Sequence, residues 1–289
     1  MISIRKAVIP VAGLGTRFLP MTKAQPKEML PLVDKPVIQY VVEEASRSGI
    51  SNMIFITSEG KRSIKNHFSR FYELEELLIK KNRTEDLNQL HWIQSLGEFT
   101  FVAQEKPLGL GHAVLCAEKA VGNEFFALLL GDDIFDPQED ALQALLKAHK
   151  ASGKSVVGIQ EVPQNHVERY GIVNKPDNEK NIYWSVNKII EKPPASNTES
   201  RWAVVGRYIL TPDMFKLLQD TRPGVGGEIQ LTDALSQLAN QGQLIACPIA
   251  AKRFDTGNKL DYVKASIEFA LKHPEIGSEI SEYLKHLEI

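Results

Sequence analysis

Between Lys6 and Leu32 the chain reads KAVIPVAGLGTRFLPMTKAQPKEMLPL, and this stretch holds residue types able to bind a polyanion. Gly13 and Gly15 let a backbone turn tightly and bring N–H groups close to an anion. Arg17 follows inside the turn, and Lys27 lies ten residues later between Pro26 and Glu28. Pro20, Pro26 and Pro31 keep this segment from becoming a helix. A second group of chemical residues, Gly131, Asp132 and Asp133, closes the most apolar run of the chain, FFALLL. Carboxylates at the carboxyl end of a buried parallel strand lie on the edge where open α/β sheets bind ligands, and the first loop opens on that same edge.

Several other chemistries are excluded. A nucleophile elbow Gly-x-Ser-x-Gly and a zinc helix His-Glu-x-x-His are both absent, and the seven histidines show no pairing pattern. His112, beside Gly111, reads as a packing or capping residue. The first loop is not a P-loop, because its glycines are not followed by the Gly-Lys-Ser/Thr that such a loop needs at its helix start. A dinucleotide fingerprint also fails: Gly13 and Gly15 have the first spacing, but Phe18 stands at the third glycine position, and Asp34 precedes a helix instead of ending a second strand. One reaction class needs no base. A phosphate monoester, already ionised at pH 7 with a second pKa of about 6, can attack a nucleotide α-phosphorus directly. Two polyanions must then meet in line, so cations and a metal are what such a site has to supply.

Composition bounds the partners. Lys and Arg total 34 against 36 for Asp and Glu in 289 residues, a formal net charge of −2 without overall bias toward nucleic acid or a membrane surface. Cys116 and Cys247 lack metal-ligand spacing and read as buried free thiols in a reducing compartment. The N-terminal residues enter a strand without an apolar signal core, and no run approaches about 18 apolar residues, so a soluble, cytoplasmic protein is expected.

The elements that must position these residues can be read from periodicity. Ala7, Val8, Ile9 and Val11 form a strand covered on both faces, which should stop at Ala12. Asp34 or Lys35 would cap a helix with Pro36 in its first turn and Ile38, Val41, Val42 and Ala45 inward, ended by Gly49. Residues 52–57 are a second strand, so strand, loop, helix and strand make a crossover unit of a parallel sheet. A helix is expected at 61–68. Residues 71–96 read as two amphipathic surface helices, with a subunit contact as the alternative. A strand at 99–103 runs into Gln104 and the PLGLGHA turn, a helix covers 139–152, and a strand covers 155–159. Beyond residue 160 the strands expected at 170–174, 182–190 and 202–210 add mixed or antiparallel pairing. Helices at 212–219, 229–241 and 259–272 and a strand at 244–249 complete one α/β domain.

The motifs VAGLGTR, PKEMLP, LGLGHA, LLGDD, YGIV, IIEKP, VGRYIL, GEIQLTDA and DTGNK, in that order, span nearly the whole chain and resemble the sugar-phosphate nucleotidylyltransferase family. The resemblance implies a Rossmann-like nucleotidyltransferase fold, a central mixed but mostly parallel sheet flanked by helices. It implies one domain, 1–289, with a nucleotide-binding half, 1–160, and a sugar-phosphate-binding and oligomerisation half, 161–289. The implied reaction is Mg²⁺-dependent transfer of a uridylyl group from UTP to α-D-glucose 1-phosphate, giving UDP-glucose and pyrophosphate. A thymidylyltransferase, another sugar specificity, or a catalytically weak regulatory paralogue stands beside it. Carried over by position, Ala12, Gly13 and Gly15 would hold the nucleotide, with Gln104 reading the uracil edge and Gly109 in the neighbouring wall. Arg17 and Lys27 would hold the triphosphate, and Lys192 would neutralise the sugar phosphate. Gly171, Glu191 and Gly206 would line the glucose pocket. Asp132 would bind Mg²⁺ with Asp255 as second carboxylate, although Asp133 adjoins it and residue pattern alone leaves the choice between them open. Glu228, Gln230 and Asp233 read as helix-capping and subunit-contact residues. A homodimer or homotetramer is expected, with no nucleic-acid or membrane partner.

Overall fold

Strand Lys6–Pro10 buries alternate side chains on opposite faces of a sheet, because successive residues of a strand point to opposite sides. Ala7 and Ile9 join Val41, Val42, Leu142 and Leu145 on one face, while Val8 joins Val114, Leu218 and Leu235 on the other. These are two separate apolar layers. Helices Val37–Arg47 and Ala141–Ser152 supply the first, and helices Leu110–Cys116, Asp213–Asp220 and Leu231–Asn240 supply the second. The computed structural model describes residues 4–175, 182–224 and 227–287.

The main sheet runs in the spatial order Trp184–Ser185, Leu244–Pro248, Ser155–Glu161, Trp202–Leu210, Phe126–Leu129, Lys6–Pro10, Asn52–Thr57, Glu98–Ala103. Lys6–Pro10 is parallel to both neighbours, as is Asn52–Thr57, so the crossover unit expected from the first 57 residues forms. Phe126–Leu129 is fully buried and central, as its apolar run requires. Trp202–Leu210 lies antiparallel between Phe126–Leu129 and Ser155–Glu161, and its pairing with the latter shifts register between Val204 and Tyr208, around Gly206 and Arg207.

Three sequence expectations change, and one motif outside the first loop is explained by its place. The stretch 182–190 is not one strand: Trp184–Ser185 pairs with Leu244–Pro248, whereas Ile189–Glu191 leaves the main path and pairs with Gly171–Val173. The helix expected to hold Pro36 in its first turn begins at Val37; Pro36 is its extended cap, and Lys35–Pro36 instead pairs with Pro31–Leu32. A two-stranded ribbon, Asp133–Phe135 with Arg253–Asp255, was not foreseen, since three-residue strands carry too little periodicity to be read. A Gly-Lys-Ser tripeptide does occur at Gly153, Lys154 and Ser155, but Gly153 ends a helix at φ +69° and Ser155 opens a strand, the reverse of P-loop order.

Residues 71–96 form the two expected helices, Tyr72–Lys80 and Thr84–Ser95. Beyond residue 272 the chain forms a further helix, Gly277–Lys285, with residues 288–289 outside the described part. Among the described residues no helix is long and apolar enough to cross a membrane.

Candidate active site

The first loop is built from short turns. Gly15 takes φ +65°, and a Cβ there would come within 3.1 Å of Thr22, whose hydroxyl donates to the Gly15 carbonyl at 2.8 Å. Glycine therefore supplies the left-handed turn and leaves room for the clip that holds it. Nothing lies within 4 Å of a Cβ built on the exposed Gly13, so a ligand can approach its backbone. Arg17 is exposed, and its Nη1 donates to the Gly257 carbonyl at 3.5 Å, joining the first loop to the DTGNK motif. The next residue, Phe18, is buried edge-to-face on Tyr262 at 5.6 Å, which anchors the loop on helix Lys259–Lys272.

Four charges of alternating sign follow. Lys61 pairs with buried Glu28 at 2.9 Å, and Lys27 pairs with Asp132. Burial works against the charge on Lys27, but Asp132 and Glu28 outweigh it and hold its pKa above the ordinary lysine value. Burial likewise disfavours the Asp132 carboxylate, and Lys27 reverses this, so the Asp132 pKa lies below the ordinary aspartate value. At the other end burial dominates: Glu28 is raised and Lys61 is lowered, each against the pull of the other.

Asp255 arrives by the unforeseen ribbon, which sets it opposite Asp133. A Cβ on Gly257 would lie 2.6 Å from Asp132 Oδ2 and 2.9 Å from Asp255 Oδ1, so the glycine is what lets these carboxylates converge. Burial and the neighbouring Asp133 raise the Asp255 pKa, an arrangement relieved by a cation. Asp133 points elsewhere. It is buried, its Oδ2 accepts the Gly206 N–H at 2.9 Å, and its Oδ1 accepts from Arg253 Nε at 2.5 Å. Its oxygens are engaged by Gly206 and Arg253, whereas Asp132 Oδ2 faces Lys27 and Gly257. Among the described residues no group of three or more His, Cys, Asp or Glu could hold a metal ion, so Asp132 and Asp255 are a two-carboxylate set. That donor set fits Mg²⁺, which is commonly held by one or two carboxylates with water and substrate phosphates completing the octahedron.

Gly171 and Glu191 are register partners, and the Thr232 hydroxyl donates to Glu191 Oε2 at 2.6 Å. Lys192 Nζ lies 3.3 Å from Glu191 Oε1, and its backbone takes φ +44°, a left-handed conformation that is strained for a lysine. Its N–H donates to the Tyr170 carbonyl at 2.9 Å, and the Tyr170 hydroxyl accepts from Arg253 at 3.3 Å. Gly206 packs on Asp133, where a Cβ would come within 2.6 Å of Oδ2. Arg253 thus links Gly171, Glu191 and Lys192 to the Asp133–Gly206 pair. Lys192 forms no hydrogen bond or ion pair with the Arg17, Lys27 or Asp132 group among the described residues.

At the other end, an open cleft of ≈ 750 Å³ is lined by Ala12, Leu14, Thr57, Gln104, Glu105 and Pro107 among others. Gly109 takes φ +93°, and Gly111 donates to the Ile229 carbonyl at 2.9 Å, where a Cβ would clash at 2.6 Å. The LGLGHA turn is thereby zipped to the GEIQLTDA segment. Within that segment Gln230 stands at the helix cap but makes no side-chain cap bond; it donates to Glu228 at 3.0 Å, so the capping role expected of it is not observed. His112 also does more than cap or pack, since its Nδ1 lies 2.9 Å from Gln104 Nε2. Arg253, Arg207, Thr232 and Lys61 were missed by sequence reasoning. Arg207 and Thr232 sit inside quoted motifs and Arg253 two residues before Asp255, signals that could have found them; nothing local marks Lys61.

The nucleotidyl transferase family matches residues 6–271. The UTP–glucose-1-phosphate uridylyltransferase YngB of Bacillus subtilis is 48% identical over 282 residues, covering 98% of this chain and 95% of its own. The chain belongs to the UTP–glucose-1-phosphate uridylyltransferase family. Solved structures of that family share its fold: UTP-bound UGPase from Acinetobacter baumannii matches with a TM-score of 0.90 at 39% identity over 99% of this chain and 100% of its own. A UDP-glucose pyrophosphorylase complexed with UDP-glucose matches at 0.85 and 39% identity over 94% of this chain and 100% of its own. The Rossmann-like expectation and the mixed, mostly parallel sheet are therefore borne out.

Proposed function

We propose that this chain is an enzyme that transfers a uridylyl group from UTP to α-D-glucose 1-phosphate, forming UDP-glucose and releasing pyrophosphate. A phosphate oxygen of glucose 1-phosphate forms a bond to the α-phosphorus of UTP. The bridging bond between the α-phosphorus and the β-phosphate oxygen breaks, and pyrophosphate leaves with the electron pair. No proton has to move, which agrees with a site that has cations and no general base.

The observation that carries this reading is the meeting of Arg17, Lys27, Asp132 and Asp255 around Gly257, from three distant parts of the chain. Arg17 and Lys27 hold the triphosphate and stabilise the charge developing on departing pyrophosphate. Bound Mg²⁺, held by Asp132 and Asp255, would neutralise phosphate charge. Ala12, Gly13 and Gly15 present backbone to the nucleotide, Gln104 reads the uracil edge, and Gly109 forms the wall beside it. Gly171, Glu191 and Gly206 receive the glucose, with Glu191 accepting from its hydroxyls, and Lys192 neutralises the attacking phosphate. Residues 1–160 serve the nucleotide and 161–289 the sugar phosphate within one domain. The reading places the enzyme in the cytoplasm as a homodimer or homotetramer, for which the exposed apolar side chains Leu260, Val263, Ile267 and Leu271 offer a face on helix Lys259–Lys272.

Pyrophosphate release is the test, measured with glucose 1-phosphate and UTP, dTTP, ATP, CTP or GTP, with and without EDTA. Rapid, EDTA-sensitive turnover selective for UTP is expected. Selectivity for dTTP would move the chain to a thymidylyltransferase, and binding of UDP-glucose without turnover would make it a regulatory paralogue.

A further inference from the structure

Gln104 is 7% exposed and stands where strand Glu98–Ala103 gives way to the cleft. Its Nε2 lies 3.2 Å from the Gly109 carbonyl oxygen and 2.9 Å from His112 Nδ1. A carbonyl oxygen can only accept, so the long contact to Gly109 assigns the amide nitrogen to that side, and the shorter one to His112 is the stronger hold on it. The same nitrogen then presents its second hydrogen to His112, so Nδ1 must carry a lone pair and the ring proton must sit on Nε2. The Cys116 thiol, 3.9 Å from Nδ1, is a weak donor and fits the same assignment.

Both amide hydrogens of Gln104 are consequently used inside the protein. Among the described residues its Oε1 has no protein donor, and yet the sole buried side-chain polar atom without a partner among them is Thr57 Oγ1. Gln104 Oε1 therefore opens to solvent, and the solvent beside it is the cleft. An amide held this way offers a pure acceptor to whatever ring docks there. Uracil and thymine carry a donor at N3, whereas cytosine carries an acceptor at N3. A rotated amide would offer its NH₂ and reverse the preference.

We infer that His112 is a positioning residue for base selectivity: as the Nε2–H tautomer it accepts from Gln104 and holds Oε1 toward the cleft, so that a pyrimidine with an N3–H is accepted and cytosine is refused. The inference rests on the reading that the base docks against Gln104. Its chemistry is a difference between two orientations of one amide, so it needs no contact between His112 and the nucleotide.

The experiment compares kcat/KM for UTP and CTP in the full-length protein, its His112→Leu variant and its His112→Asn variant. Asn can place Oδ1 near the position of Nδ1 and accept in its stead. His112→Leu should lower the UTP/CTP ratio by on the order of tenfold, through a higher KM for UTP and a better reaction with CTP, while kcat for UTP changes little. The Asn variant should keep most of the ratio. A ¹⁵N spectrum of the wild type should show His112 with an unprotonated Nδ1, whatever the enzyme acts on. A leucine variant with the wild-type ratio, an asparagine variant as impaired as the leucine one, or a protonated Nδ1 overturns the inference. A wild type with no preference for UTP would instead sink the functional reading, which the tautomer measurement does not touch.

Discussion

Arg207 closes on Glu44 across 163 residues of chain, its Nε 3.1 Å from each carboxylate oxygen and its Nη2 2.6 Å from Oε2. The guanidinium is fully buried, and two of its remaining hydrogens go to the Gly206 and Asp133 carbonyls, both at 2.8 Å. A buried charge bonded to both a carboxylate and two backbone carbonyls fixes the backbone on which Asp132, Asp133 and Gly206 are carried.

Replacing Arg207 by Met leaves the Glu44 carboxylate buried without its partner, which should cost about 3–5 kcal/mol of stability. Urea denaturation would register this as a lower midpoint at an unchanged slope. Pairing Arg207→Met with Glu44→Leu should recover part of that stability and little of the turnover, because the Asp133 and Gly206 carbonyls still lack their donor.

Gly257→Ala puts a methyl where Asp132 and Asp255 converge, at 2.6 and 2.9 Å from their oxygens. The carboxylates must separate. The Mg²⁺ concentration for half-maximal pyrophosphate release should rise by roughly tenfold or more, with circular dichroism unchanged, since metal sites tolerate little displacement of their ligands. An unaltered Mg²⁺ dependence would show that these two carboxylates do not share a cation.

Lys192 holds φ +44°, a conformation glycine adopts without strain. Lys192→Gly should therefore raise the thermal midpoint, by about 1 kcal/mol in stability terms, while turnover falls on the order of a hundredfold through loss of the ammonium. Lys192→Ala should lose the same activity and gain no stability. Equal melting of both variants would place no strain at this position.

Asp136 accepts from Lys272 at the end of helix Lys259–Lys272 and from the Gln138 N–H. Burial would raise its pKa, but those two hydrogen bonds hold it below the ordinary value of 3.8. A carboxyl with a depressed folded-state pKa contributes stability above its unfolded pKa and loses it as pH falls through the folded one. The contribution should be present at pH 6 and drain away below about 3.8, and Asp136→Asn should remove that part of the acid slope at a cost of about 1 kcal/mol at pH 6. Denaturant titrations of both proteins at pH 6 and pH 3 would show a smaller difference at the lower pH.

Much of the site was legible because it is local. Gly13, Gly15 and Arg17 lie within five residues, and the turn they make depends on glycine conformations that a sequence displays directly. The parallel crossover was legible for a related reason: runs such as NMIFIT and FFALLL have no stable place except in a strand covered on both faces. The ribbon joining Asp133–Phe135 to Arg253–Asp255 was not, since each strand is three residues long and its partner lies more than a hundred residues away. The split of residues 182–190 between two pairings was hidden for the same reason: apolar content announces a strand without naming its neighbour.

By itself, then, the sequence determined the glycine loop, most of the order of the elements, the layered α/β architecture and the resemblance of the whole chain to one family, because each is written in near-neighbour spacing. Only the tertiary structure tied Asp133 to Gly206 and Arg253 while turning Asp132 toward Lys27, brought Asp255 and Asp132 together at Gly257 and put His112 against Gln104. Those outcomes depend on which way a side chain turns at a strand end and on which distant backbone meets it. Adjacent carboxylates look alike in a sequence, and it took the Gly206 N–H and Arg253 to occupy one of them and leave the other facing Lys27.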